Sequence, residues 1–181
     1  MRIIAGEWGG RTIEAPKGRT VRPTSDRARE AWMSIVHPLL PGARVLDLCA
    51  GTGALGLEAL SRGARHCLFV EEGAEARGLI RTNVEALGLT GHTRLWRRDA
   101  TKLGTRAPME PFDLAFLDPP YGKGLAEAAL AAMLAGDWMK PGAVVVVEET
   151  IETEVAVPAG FTEVDRRDQG DSRVIYLTRD V

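Results

Sequence analysis

Four consecutive residues, Asp118-Pro119-Pro120-Tyr121, combine types that could act on a planar amine. They follow an apolar run of strand length, Phe112–Leu117, and Gly122 breaks the pattern after them. Each proline fixes φ and lacks an N–H. The residue before each proline is pushed to extended geometry. The carbonyls of such a segment find no ladder or helix partner, so they can face a cleft. That supplies two acceptors, the Asp118 carboxylate and the Pro119 carbonyl, beside the π-face of Tyr121. An exocyclic NH2 on an aromatic ring offers the complementary set: two donors and a π-face. Asp and Pro are also common turn residues, so the tetrapeptide alone reads equally as a strand running into a turn. The upstream pattern separates the two.

That pattern is Val45-Leu46-Asp47-Leu48-Cys49-Ala50-Gly51-Thr52-Gly53-Ala54-Leu55-Gly56. Gly51, Gly53 and Gly56 match G-x-G-x-x-G after a strand and at the opening of a helix, and Glu71 lies 20 residues beyond Gly51. This is the spacing of a dinucleotide fingerprint, so an NAD-dependent oxidoreductase is one reading. Asp47 weighs against it. A pyrophosphate would sit on the helix N-terminus, where a carboxylate before the turn would repel it. S-adenosyl-L-methionine (SAM) has no phosphate and carries an ammonium and a sulfonium. Asp47 could engage the ammonium, while Ala50, Gly51 and Gly53 let backbone approach the methionine portion. Glu71 could accept the ribose hydroxyls, and Asp99 with Ala100 could face the adenine amine. A capping carboxylate is the competing account of Asp99.

The elements that must position these groups alternate along the chain. Arg44–Leu48, His66–Val70, Arg94–Arg97, Phe112–Leu117 and Ala143–Val147 read as strands, and Ala54–Ser61, Ala74–Leu87 and about 125–134 as helices. Such alternation predicts an α/β, doubly wound, mostly parallel sheet with helices on both faces. Phe161–Arg166 and Arg173–Thr178 leave no room for a helix between them, which predicts an antiparallel hairpin at the sheet edge. Upstream, Arg2–Ala5 and Arg11–Ala15 read as a β-hairpin around a glycine-rich turn. A loop from Pro16 to Pro23 leads to Thr24 as helix N-cap, and the helix runs to about His37 before Pro38 and Pro41. Its apolar stripe is Ala28, Ala31, Trp32, Ile35 and Val36, with Arg27 and Arg29 off it. Two parts are expected: 1–41, the hairpin and helix, and 42–181, the cofactor-binding domain.

The 181 residues are 45% hydrophobic and 27% charged, enough for a core and too apolar for disorder. The net charge of −2 creates no global field for nucleic acid. Residues 1–44, however, hold eight Lys and Arg against four Asp and Glu, and the remainder 15 against 21. A basic arm on an acidic body suits an anionic partner, although chance scatter of surface charge would look the same. Arg11, Lys17, Arg19, Arg22, Arg27 and Arg29 are the candidate contacts to such a partner. Cys49 and Cys67 have no metal-type spacing, and His37, His66 and His92 are scattered, so buried free thiols and no metal are expected. No apolar run is long enough to span a membrane, which suggests a cytoplasmic protein. The 19 arginines against 4 lysines fit either codon bias or a hot habitat.

With these residues in place, the chain resembles the class I SAM-dependent amino methyltransferases, and more narrowly the bacterial RsmD-type 16S rRNA (guanine-N2) methyltransferases. The resemblance rests on Arg2-Ile3-Ile4-Ala5-Gly6, on Arg22-Pro23-Thr24-Ser25-Asp26-Arg27-Ala28-Arg29-Glu30-Ala31, on the Asp47-to-Gly53 loop, on 54–64, on Glu71 and on Asp118-Pro119-Pro120-Tyr121. It covers the chain nearly end to end. The resemblance implies a seven-stranded sheet with the last strand inserted antiparallel. It also implies an RNA-facing N-terminal appendage and methylation of one guanine in 16S rRNA, on an assembled or partly assembled small subunit. A monomer is expected. Other planar amines remain open as acceptors: adenine N6, cytosine N4 or a protein glutamine amide. A non-catalytic RNA-binding module is a further rival.

Overall fold

The computed structural model describes residues 1–16 and 26–181. Its centre is a run of strands that are apolar at nearly every position because both faces of the sheet are covered. Strand β1 is Arg44–Leu48, β2 His66–Val70, β3 Thr93–Trp96, β4 Phe112–Leu117, β5 Met139–Thr150, β6 Phe161–Gln169 and β7 Ser172–Arg179. They form one sheet in the order β3-β2-β1-β4-β5-β7-β6. The first five run parallel, and β7 pairs antiparallel with β5 on one side and β6 on the other. Helices α1 (Asp26–Val36), α2 (Ala54–Ser61), α3 (Ala74–Ala86) and α4 (Leu125–Ala135) connect or cover the strands.

Alternate strand residues serve two cores. Val45, Cys67, Phe69, Leu114 and Phe116 face the core shared with α1, α2 and α3. Leu46, Leu48, Leu68, Val70, Ala115 and Leu117 face the core under α4. The doubly wound, mostly parallel seven-stranded sheet expected from the alternation is present. The tail is the expected antiparallel hairpin at the sheet edge, with the last strand, β7, inserted between β5 and β6. Strand β5 is also longer than its valine run, because pairing with β7 continues to Thr150 opposite Ser172.

The N-terminal segment is fastened to the body. Its two extended stretches meet in a single antiparallel bridge, Arg2 to Thr12, supported by Ile3 N donating to Arg11 O at 2.9 Å and Gly10 N to Ile3 O at 2.8 Å. Ile3, Ile13, Trp32, Met33 and Val36 belong to the same core as β1, α2 and α3. The buried Glu58 carboxylate on α2 accepts Ile4 N at 2.8 Å and Ala5 N at 3.1 Å. Ser61 Oγ donates to Ala5 O at 2.6 Å and accepts from Trp8 N at 3.0 Å. The Asn83 amide on α3 ties Glu14 to Thr52 in the glycine loop, donating to Glu14 O and Thr52 O at 3.1 Å each.

Helix α1 corrects one expectation. Its buried residues are Arg29, Trp32, Met33 and Val36, an i, i+3, i+4, i+7 face, while Ile35 is exposed. Arg29 is on the packed stripe, with 1% exposure. Its guanidinium donates to Asp26 Oδ1 at 2.8 Å and Arg2 O at 2.9 Å, and lies 3.8 Å from Glu58 Oε1. A buried arginine is tolerable only with such neutralising partners. The proposed cap at Thr24 lies outside the described residues.

Candidate active site

A cavity of about 840 Å³ opens at the C-terminal ends of the strands, where the order reverses between β1 and β4. Open α/β sheets bind ligands at such a switch point, and the volume suits a ligand pocket of roughly 300–1,000 Å³. Strand order divides its wall. Val70, Glu71 and Glu72 after β2, and Arg98, Asp99, Ala100 and Thr101 after β3, line one half. Glu148 on β5, Gln169, Gly170 and Ser172 at the β6–β7 turn, and Ala28 and Trp32 on α1 line the other. Asp118, Pro119, Pro120 and Tyr121, after β4, stand between them.

In the glycine loop, Gly51 and Gly53 take left-handed φ values of 58° and 81°, which a side chain would disfavour. Gly56 serves packing: a Cβ there would come within 2.5 Å of Phe69 Cε1 and 2.6 Å of Cys67 Sγ. Glu71 braces the loop, accepting Gly51 N and Gly73 N at 2.8 Å each, and it also lines the cavity. Asp47 is placed differently from the expectation. It is 1% exposed, lies behind the loop and accepts Gly56 N at 3.0 Å, and it is not part of the cavity wall. Burial pushes its carboxyl up to about 8. Its part is to hold the first turn of α2 against β1, so the case against a pyrophosphate passes from Asp47 to the wall itself.

That wall carries five carboxylates, Glu71, Glu72, Asp99, Asp118 and Glu148, against one guanidinium, Arg98. Arg98 lies 4.3 Å over the Trp96 ring and donates to Leu103 O at 2.6 Å. This donor set fits a ligand with hydroxyls, amines and positive charge, as SAM has, and opposes a pyrophosphate. Asp99 fulfils both of its readings. It caps the 3-10 turn Ala100–Lys102, accepting Thr101 N at 2.8 Å and Thr101 Oγ1 at 2.7 Å, and these bonds hold its carboxyl below the usual carboxylate range. It also lines the cavity beside the buried Ala100. Cys49 lines it too. Burial, and then the charges of Glu71, Asp118, Asp47 and Asp99, push this thiol up to about 12, so it is inert as a nucleophile at neutral pH.

Two acids at the end of β5 were not singled out from the sequence. Glu148 Oε1 accepts the Tyr121 hydroxyl. Glu149 Oε1 accepts Gly122 N at 3.1 Å and Thr150 N at 2.8 Å. Both acids are buried. Together they fix the loop that follows Pro120. The signal was present: two acids ending an all-valine strand, beside the strand that bears the tetrapeptide. The hydroxyl of Tyr121 therefore has a partner, where stacking alone would ask only for the ring.

Of the basic residues picked out for RNA, Arg11 and Arg27 are exposed, Arg11 donating to Ala86 O at 2.9 Å. Arg29 is withdrawn from that group by its burial. Lys17, Arg19 and Arg22 lie outside the described residues. Among those described, no helix is long and apolar enough to cross a membrane, and no three His, Cys, Asp or Glu side chains group to hold a metal ion.

A parallel sheet closed by an inserted antiparallel strand, with an acid-lined cavity at its switch point and Asp-Pro-Pro-Tyr after the fourth strand, defines a class I methyltransferase. The model of the family described as conserved hypothetical protein 95 matches residues 1–178, and the chain belongs to this family, the RsmD family. It is 35% identical to ribosomal RNA small subunit methyltransferase D of Escherichia coli K12, over 90% of this chain and 81% of that protein. With the enzyme of the same name from Haemophilus influenzae it shares 31% identity, over 94% and 89%. The solved structure of yhhF from Escherichia coli superposes with a TM-score of 0.87 at 32% identity, covering 99% of this chain and 98% of that one.

Proposed function

We propose that this methyltransferase moves a methyl group from SAM to the exocyclic N2 amine of a guanine in 16S rRNA, acting as a monomer on an assembled or partly assembled small ribosomal subunit in the cytoplasm. The observation that carries the reading is the place of Asp118-Pro119-Pro120-Tyr121, at the middle of a cavity whose two halves are built by different strands. The similarity to small-subunit rRNA methyltransferases over most of the chain supports rRNA as substrate over DNA or protein.

Glu71 would hold the ribose, Asp99 and Ala100 the adenine, and the Gly51–Gly53 turn the methionine portion. Bound SAM supplies an electrophilic methyl on a sulfonium. The chain's own part is orientation. Guanine N2 is a poor nucleophile because its lone pair is delocalised into the ring. The Asp118 carboxylate and Pro119 carbonyl accept its two N–H bonds and so fix the direction of the lone pair. Such positioning can supply up to roughly 7–11 kcal/mol in ideal cases. The proton released as the C–N bond forms has Asp118 as its acceptor. Tyr121, held by Glu148, offers a face on which the extruded base stacks, and a loop target lowers the cost of extrusion.

The N-terminal segment is the RNA grip in this reading, through exposed Arg11 and Arg27 and the 17–25 stretch. Incubation with labelled SAM and small subunits lacking the modification, followed by nucleoside analysis, tests the proposal. N2-methylguanosine is the expected product. Label in adenosine, cytidine or protein, or none, refutes it.

A further inference from the structure

The chemistry of methyl transfer uses only the amine of the acceptor base. The acceptor half of the cavity offers one more acid. Glu148 follows Val147, and Val147 pairs with Leu117, so Glu148 on β5 lies beside Asp118, the residue just past the end of β4. Strands so paired lie about 4.8 Å apart, close enough for two side chains to converge on one base. Glu148 is buried, lines the cavity, and has one oxygen engaged by the Tyr121 hydroxyl, which fixes the carboxylate in place.

We propose that Glu148 reads the base: its carboxylate accepts guanine N1–H, the hydrogen next to the reacting amine. This rests on the guanine-N2 reading and deepens it. The physical case is one of complementarity. Guanine carries a hydrogen on the ring nitrogen between its amine and O6. In adenine and cytosine the ring nitrogen beside the amine is an acceptor, and it would meet the Glu148 carboxylate lone pair to lone pair. A pocket with Asp118 and Pro119 alone would take any of the three amines. With Glu148 added, only guanine satisfies every group, and sites built on buried hydrogen bonds reject analogues that lack them far better than apolar pockets do.

The test uses small subunits reconstituted with either guanine or 2-aminopurine at the methylated position. 2-Aminopurine keeps the reacting amine and lacks both N1–H and O6. The parent should prefer guanine by about 10⁴-fold in kcat/KM. Glu148→Gln should lower kcat/KM for guanine tenfold or more and change that for 2-aminopurine less than twofold, with SAM affinity by calorimetry unchanged. An equal fall on both substrates means a merely structural role and overturns the proposal, as does an unchanged preference. The variant keeps the parent's shape. A parent that methylates no guanine sinks the underlying reading, and this inference with it. A parent active on guanine whose Glu148→Gln variant keeps its preference sinks this inference alone.

Discussion

Replacing Glu58 by alanine should loosen the N-terminal hairpin and α1 from the body. The carboxylate is 0% exposed, accepts three hydrogen bonds and faces a second guanidinium. It accepts Ile4 N at 2.8 Å, Ala5 N at 3.1 Å and Arg62 Nε at 3.0 Å, with Arg29 Nη1 at 3.8 Å. Alanine leaves two buried guanidiniums short of a counter-charge and two N–H groups short of an acceptor. Breaking a buried pair costs about 3–5 kcal/mol. Arg29 keeps Asp26 and the Arg2 carbonyl, which favours the lower end, and the orphaned N–H groups add about 1 kcal/mol or more each. Water entering the site returns part of this, so a loss of about 4 kcal/mol is expected. For a domain of this size each kcal/mol moves Tm by about 2–4 °C, giving a fall of roughly 8–16 °C. Calorimetry, with urea unfolding to check that the m-value is unchanged, measures it. A loss under about 1 kcal/mol would refute the reasoning and leave the apolar packing of Ile3, Ile13 and Trp32 as the fastening.

Asp47 predicts a pH dependence. Its folded value of about 8 exceeds the unfolded value of about 3.9, so the fold holds a proton that the unfolded chain releases. Its contribution is complete below about pH 4 and is lost as pH rises to about 8. Asp47→Asn should flatten this slope in urea unfolding between pH 5 and pH 8, and equal slopes would contradict the assignment. Asp118→Ala should cut transfer by roughly 10²–10⁴-fold while SAM affinity stays, whereas Asp118→Asn keeps part of the activity; full activity in the alanine variant would remove Asp118 from the mechanism. Tyr121→Phe should cost a few-fold in kcat through its missing bond to Glu148, and Tyr121→Ala much more; equal losses would make the ring irrelevant. The Arg11→Ala, Arg27→Ala double variant should reduce the salt dependence of RNA binding by roughly 0.7 log units per log unit of salt for each phosphate no longer neutralised. An unchanged slope with weakened SAM binding would make the segment a lid and not a grip.

The sheet was legible because period and punctuation agree. Arg44–Leu48, Ala54–Ser61, His66–Val70 and Phe112–Leu117 fall where apolar runs and turn residues put them. Less legible was anything set by partners distant in sequence. The extra length of β5 depends on β7, which local pattern does not announce. Arg29 reads as a surface charge until Glu58 and Asp26 are placed beside it. Asp47 reads as a ligand group by position, yet the loop folds over it and Gly56 N takes its carboxylate. Glu148 and Glu149 escape a local reading because their partners, the Tyr121 hydroxyl and Gly122 N, lie 27 residues upstream.

The position of β7 bears on how the molecule comes into being. Translation delivers β7 after both of its neighbours, yet its place is between them. Until it arrives, β5 has an open edge along Val144–Thr150 and β6 has no partner at all. Pairings of this kind form slowly, and bare strand edges invite association between nascent chains. The parallel strands β1 to β5 need no strand from beyond β5 to pair with one another. Tyr176 on β7, whose hydroxyl donates to Trp32 O at 3.4 Å, then seats α1 against the finished sheet. The chain should therefore pass through a stage at which the half of the cavity built after β2 and β3 is shaped and the half built by β5 and the β6–β7 turn does not yet exist, so that a complete cavity is the last property acquired during biogenesis.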